Sequence, residues 1–334
     1  MTLPRPLAMV LWPASLLYGL VASARTTLYA KGWLKQKRLK GAVISVGNLS
    51  VGGTGKTPMV IWLAEKLSQE GKRVAILSRG YRGTAESSDE IELMRARLQN
   101  RVRFGAGKDR YSQGRAIESH EPVDVFLLDD GFQHLQLARD LDIVLMDASR
   151  PIGGQFLLPA GPLREKTSAL IRADIIVFTR TENAPGAAEA IQRMSSLPVF
   201  AASTQLQGFR PLGVDAPLVD SVRLGTGPFF AFCGLGNPEA FVRDLKRWDV
   251  PVAGQMFFTD HHRYSVDDTK TIVRAAARAG AKVLLTTEKD SWNLIDVKFK
   301  DLPVFVSVIE LQVTGEAALL SAIDHSLRAR GALT

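Results

Sequence analysis

Short apolar runs alternate with amphipathic stretches along most of this chain. Residues 42–46, 73–78, 123–128, 142–147 and 174–179 are such runs. They are too short for helices and apolar nearly throughout, so they read as buried strands of a parallel sheet. Helical periodicity follows at residues 58–69 and 91–98. Residues 200–223 carry no clear period and read as irregular. The alternation then resumes, with strands at 228–235, 255–258, 282–286 and 304–308 and helices at 237–246, 267–279 and 317–330. Strands alternating with helices predict an α/β fold with a mainly parallel sheet. The 334 residues suit two domains better than one.

The first run leads into Gly-Asn-Leu-Ser-Val-Gly-Gly-Thr-Gly-Lys-Thr-Pro, residues 47–58. Strand, glycine loop, Lys-Thr and helix is the order of a phosphate-binding P-loop. Gly52, Gly53, Thr54 and Gly55 form the loop that turns backbone N–H groups inward. Lys56 is placed to reach the β- and γ-phosphates of ATP, and Thr57 to hold Mg²⁺. Ser50 stands where the common pattern has its first glycine. The run at 123–128 ends in Asp129 and Asp130. Apolar strand then Asp is the Walker B pattern, which puts a carboxylate beside the P-loop for Mg²⁺. His134 follows closely and reads either as a supporting residue or as a surface histidine. Asp89, just ahead of a helical run, reads from its position as a helix N-cap. Arg164, in a long loop between two strands, reads as a phosphate-neutralising group or as a solvated side chain.

Charge changes the picture at one end only. Residues 1–64 contain no Asp or Glu, and their eight basic residues account for the whole net charge of +8. The basic balance is therefore local and excludes a general nucleic-acid surface. Residues 7–24 are uncharged and largely apolar. A membrane span, a signal peptide, a core helix and an interfacial helix are all compatible with that length. Pro13 and Gly19 weaken a span, and export would separate the P-loop from ATP. An interfacial helix with a basic collar, Arg25 to Lys40, is the expectation, with Trp12, Tyr18, Tyr29 and Trp33 at headgroup level. The expected division is 1–40 membrane-interfacial segment, 41–200 P-loop domain, 201–224 irregular linker and 225–334 C-terminal α/β domain. The single cysteine, Cys233, excludes an internal disulfide. The guanine-reading Asn-Lys-x-Asp of GTPases is missing, and Val51 stands where deviant Walker ATPases have a second lysine.

The run GNLSVGGTGKTP, with LSRGYRG, DDGFQH, LLPAGPLRE, DHHRYS and TTEKD following in that order, closely resembles the tetraacyldisaccharide 4′-kinases of lipid A synthesis. The resemblance covers nearly the whole chain, and Ser50 is normal in that family. It implies transfer of the ATP γ-phosphoryl to the 4′-hydroxyl of a tetraacylated glucosamine disaccharide 1-phosphate, with Mg²⁺. It also implies a monotopic protein on the cytoplasmic face of a Gram-negative inner membrane, in contact with anionic lipids, with no nucleic acid and no obligate protein partner. Carried over by motif, Lys56 and Thr57 are the P-loop pair, and Asp129 and Asp130 the metal-proximal pair. Arg164 and Glu165 belong to an active-site loop, and Tyr81 is an active-site contact. His261 partners the catalytic aspartate of a Gly-Asp-Glu motif, matched here by Ser88, Asp89 and Glu90. Ser88 replaces the glycine, and Ile91 replaces the usual proline. Asp89 and His261 are expected to come from different domains and to meet when these close. The alternative is a membrane-recruited P-loop ATPase that switches or moves a protein partner.

Overall fold

The computed structural model describes residues 5–80, 88–150, 156–184, 186, 192, 196–214, 216–221, 224–225, 227–294, 297–299 and 302–332. The chain forms two compact units: residues 1–87, 97–204 and 311–334 make the first, and residues 88–96 and 205–310 the second. This division is not the linear one expected. A piece of helix from the first half belongs to the second unit, and the C-terminal residues belong to the first.

In the first unit, helix α1 (Arg5–Ala30) precedes strand β1 (Ala42–Asn48), helix α2 (Lys56–Gln69) and strand β2 (Val74–Ser78). Strand β3 (Val102–Ala106), helix α4 (Arg110–His120) and strands β4 (Val125–Asp129), β5 (Leu141–Asp147) and β6 (Ile175–Thr179) follow. Helix α3 (Asp89–Leu98) lies between β2 and β3 in the chain, its first eight residues counted with the second unit. The strands run β3-β2-β4-β1-β5-β6-β7, all parallel where their pairing is defined, and strand β7 is Val199–Pro211. All seven residues of β1 and of β5 are buried, which is why these runs lack alternation. Register pairs Val46 with Asp129, so the Walker B carboxylate emerges beside the end of β1. Residues 200–211, part of the stretch 200–223 read from sequence as irregular, belong to the strand Val199–Pro211. They are half-buried and carry Ser, Thr, Gln and Arg, so the apolar signal is weak.

The second unit has the parallel order β11-β10-β8-β9, with β8 Phe229–Cys233, β9 Val252–Phe257, β10 Val283–Thr287 and β11 Val304–Thr314. Strand β8 is apolar on both faces because both are covered. Phe229, Ala231 and Cys233 join the cluster holding Phe241 and Leu245 of helix α5 (Pro238–Arg247). Phe230 and Phe232 join the cluster holding Ile272 and Ala276 of helix α6 (Val266–Arg278). A one-turn helix, α7 (Glu288–Ser291), caps β10. Helix α8 (Glu316–Ala329) returns the chain to the first unit, burying Leu319, Ile323 and Leu327. There Glu316 pairs with Lys66 of α2 at 2.6 Å, and Arg330 donates to the Asp140 carbonyl at 2.6 Å.

Candidate active site

The P-loop of the first unit is braced by side chains below it. Gly55 has φ +81° and Gly52 φ +108°, conformations that cost a Cβ-bearing residue. Gly53 has neither a positive φ nor a neighbour within 4 Å of an added Cβ. The buried Asn48, last residue of β1, donates from Nδ2 to Thr54 Oγ1 at 2.8 Å and accepts from Lys56 Nζ at 3.4 Å. Thr179 Oγ1 at the end of β6 donates to the Thr54 carbonyl at 2.9 Å. The loop carrying Arg164 and Glu165 is tied to the same place, with Val51 N donating to the Pro162 carbonyl and Arg164 N to the Leu49 carbonyl.

Charges converge here. Asp130 takes a two-oxygen contact from Arg164 Nη1, at 2.6 and 2.7 Å, and lies 3.6 Å from Lys56 Nζ. Burial raises its pKa, but Lys56 and Arg164 outweigh that and hold the carboxyl below its usual range. Asp130 sits at φ +51°, a strained backbone that turns it from the strand toward those cations. Asp129 is buried and accepts from Ser78 Oγ at 3.3 Å. Glu165 accepts from Gln133 Nε2 at 3.0 Å and from Arg172 Nη2 at 2.6 Å, so it steadies the loop. His134 is half-buried, its Nε2 without a hydrogen-bond partner among the described residues. Burial, then Arg110 and Arg139, push its pKa down to about 4.

Thr57, Asp129 and Asp130 offer hard oxygen donors in a set that includes no cluster of three or more His, Cys, Asp or Glu among the described residues. One or two carboxylates suit Mg²⁺, which keeps waters and phosphate oxygens as its other ligands. The residues present fit the ion.

The second unit holds a separate constellation. His261 Nδ1 lies 2.9 and 3.0 Å from the two carboxylate oxygens of Asp89. Both residues belong to this one unit, and the pair is formed within it. The expectation that they come from different domains and meet on closure is corrected. Asp89 also accepts from Asn293 Nδ2 at 3.2 Å and from Glu90 N at 3.0 Å. Burial raises its pKa, but the hydrogen bond from His261 and the charge of Lys289 prevail and lower it. His261 is shifted up, first by its hydrogen bond to Asp89, against burial and Lys289.

Asp89 is not a helix cap. Ser88 takes that role, its Oγ accepting from Ile91 N at 3.2 Å. The two departures from the Gly-Asp-Glu-Pro pattern thus form one interaction, since proline at position 91 would have no N–H to donate. The cap leaves the Asp89 carboxylate to His261. On the other side, His261 has φ +59°, and its N–H donates to the Gly234 carbonyl. Gly234 N donates in turn to the buried Asp290 at 2.7 Å, which also accepts from Tyr264 OH at 2.8 Å. A Cβ at Gly234 would sit 2.9 Å from the Thr259 carbonyl. The neighbouring His262 turns away, its Nε2 3.1 Å from Asp268 and its ring stacked on Phe258.

Sequence reasoning missed Asn48, Arg110, Thr179, Lys289 and Asn293. Arg110 is buried near Asp129 and Asp130, with its pKa lowered by burial against their charge. The Asp109-Arg110 pair opening a helix was its available signal, since Asp109 caps α4. Tyr81 and the Gly153-Gly154 segment lie outside the described residues.

A family model for tetraacyldisaccharide-1-P 4′-kinase matches residues 7–328. The chain is 40% identical to a tetraacyldisaccharide 4′-kinase of Geobacter sulfurreducens, over 97% of this chain and 94% of that one. It is 38% identical to the Geobacter metallireducens protein of the same name, over 93% and 95%. A crystal structure of LpxK from Aquifex aeolicus in complex with ATP is similar at TM-score 0.76 and 33% identity, over 96% of this chain and 99% of that one.

Proposed function

The chain belongs to the tetraacyldisaccharide 4′-kinase family, and from that premise we propose how its residues divide the work. The protein is an ATP-dependent kinase of lipid A synthesis that phosphorylates the 4′-hydroxyl of a tetraacylated glucosamine disaccharide 1-phosphate. In our reading, the P-loop N–H groups and Lys56 bind the phosphates of ATP. Thr57, Asp129 and Asp130 hold Mg²⁺, which when bound draws negative charge off the β- and γ-phosphate oxygens. Arg164 balances Asp130 and supplies a second cation for charge that builds as the phosphoryl group transfers.

The sugar hydroxyl is a weak nucleophile and needs a proton acceptor as the O–P bond forms. Asp89 and His261 supply it as a pair. The carboxylate fixes the Nδ1–H tautomer and raises the proton affinity of the ring. The single observation that carries this reading is the 2.9 Å contact between His261 Nδ1 and Asp89. A switch ATPase has no need of such a pair, so the contact favours the kinase.

Helix α1 supports a monotopic place on the membrane. Ser15 and Gly19 face inward, with Ser15 Oγ donating to the Leu157 carbonyl at 2.8 Å. Met9, Val10, Leu16, Leu17, Leu20 and Val21 are exposed on the other side. Among the described residues, no helix is long and apolar enough to cross a membrane. The exposed side suits the acyl–headgroup boundary, and the basic collar suits anionic lipid on the cytoplasmic face.

The test uses ATP labelled in the γ-phosphoryl and a tetraacyl disaccharide 1-phosphate in mixed micelles. Label arriving on the 4′-oxygen is the expected result. Label appearing only as free phosphate, at a rate set by an added protein, would overturn the reading in favour of a switch.

A further inference from the structure

Lys289, the first lysine after strand β10, carries an ammonium enclosed by the dyad's own neighbours. Its Nζ is 3.0 Å from Asp260 Oδ1, 3.5 Å from Glu90 Oε1 and 3.4 Å from His261 Nε2. The side chain is only 16% exposed. Asp89 from α3, Asp260 from its own loop and Lys289 from α7 face the His261 ring, and Glu90 from α3 faces Lys289. His262 is engaged with Asp268 instead.

The two ring nitrogens have different nearest partners. Nδ1 faces the Asp89 carboxylate, which only accepts, at 2.9 Å; Nε2 has the Lys289 ammonium, which only donates, at 3.4 Å and the Asp260 carboxylate farther off at 3.8 Å. We propose that Lys289 is a positioning residue for the dyad: its ammonium, set on the Nε2 side, opposes a second proton on His261 and favours the form with the proton on Nδ1 and the lone pair on Nε2. Two carboxylates, Asp89 and Asp260, face the ring, and left alone they would favour the doubly protonated imidazolium, which cannot accept a proton from the sugar. Lys289 is the counterweight. Burial lowers the pKa of Lys289, but Glu90, Asp89 and Asp260 more than offset this, so the ammonium stays charged at neutral pH. No proton leaves Lys289 in this role; it acts through the ring. The inference rests on the dyad reading given above.

The test compares full-length wild type with K289M and K289R. Histidine-selective ¹⁵N NMR follows the ring nitrogens against pH, with the His261 signals assigned by their loss in H261A. In K289M the protonation midpoint of His261 should rise by about one pH unit, the usual size for removal of one nearby charge. The acid limb of kcat/KM should move up with it, so that activity lost about tenfold near neutrality returns as pH rises. K289R keeps the charge and should keep the midpoint. A lysine with a merely structural role would lower activity at every pH and leave the ring midpoint where it was, and that result overturns the proposal. K289Q gives the same readout if K289M melts below the assay temperature. The dyad reading fails separately, if H261A retains kcat while the ring midpoint still responds to K289M.

Discussion

At the scale of single residues, the cap and the dyad can be separated by experiment. Asp89→Ala and His261→Ala should each lower kcat by roughly 10²–10⁴, with ATP affinity nearly unchanged. Because the pair acts as a unit, the double variant should be little worse than either single one. Ser88→Ala removes only the cap. It should cost about 1 kcal/mol of stability and less than about tenfold in kcat. A thermal melt beside a steady-state assay distinguishes the two patterns; Asp89→Ala that melts early and keeps kcat would restore the cap reading. His262→Ala should cost much less than His261→Ala, since its ring serves Asp268. His134 makes a prediction of opposite kind. Its folded pKa of about 4 lies below the unfolded value near 6.5. Between these pH values the unfolded chain takes up a proton that the folded chain refuses, so stability is full above pH 6.5 and falls as pH drops toward 4. The loss is on the order of 2 kcal/mol. Urea titrations at pH 7.5 and 5 should show it in wild type and show it reduced in His134→Gln.

Elements differ in how plainly the sequence declares them, and the reasons are physical. Strands β1, β4, β5 and β6 were legible because burial on both faces demands unbroken apolar runs. Strand β3 was not. It lies at the outer end of its sheet order, with Arg103 exposed and only Val102 and Gly105 buried. Helix α4 has no apolar stripe, since its buried residues are Arg110 and Gly114. Gly114 lets the helix approach Leu39, and an added Cβ would lie 2.5 Å from Leu39 Cδ1. No periodicity records a contact made by the lack of a side chain. The nucleotide loop was legible because its residues are consecutive. The Asp89–His261 pair spans 172 positions, and only family resemblance pointed to it. Helix α1 was legible in composition, and its role is testable as an element. Removing residues 1–24 should leave the basic collar, worth about 1 kcal/mol per charge near anionic lipid. The shortened protein should leave phosphatidylserine-containing vesicles when salt is added, while the full chain stays. Salt-resistant binding by both would count against an interfacial α1.

For the whole molecule, the decisive fact is that order in sequence is not order in space. The first unit starts with α1 and the P-loop but includes α8, whose Leu319, Ile323 and Leu327 are buried. Glu316 of α8 reaches Lys66 on the P-loop helix. Removing residues 316–334 should therefore weaken ATP binding at least tenfold and lower the melting temperature, although the cut lies far from Lys56 in sequence. Burying three large side chains is worth roughly 1.5–3 kcal/mol each, a sizeable part of a domain's stability. Equilibrium binding of a fluorescent ATP analogue would measure it, and undiminished affinity would show α8 to be dispensable.

That return of the chain also sets a clock on biosynthesis. At 5–20 residues per second, α8 emerges from the ribosome roughly 15–50 s after the P-loop lysine. Throughout that interval the first unit has its loop, its strands and α1, but not the helix whose Glu316 pairs with Lys66 of α2. The segment from residue 205 to residue 310 is complete sooner and needs from earlier synthesis only residues 88–96, already outside the tunnel. The first unit thus depends on the last helix made, and its maturation should trail synthesis of the P-loop by that whole interval.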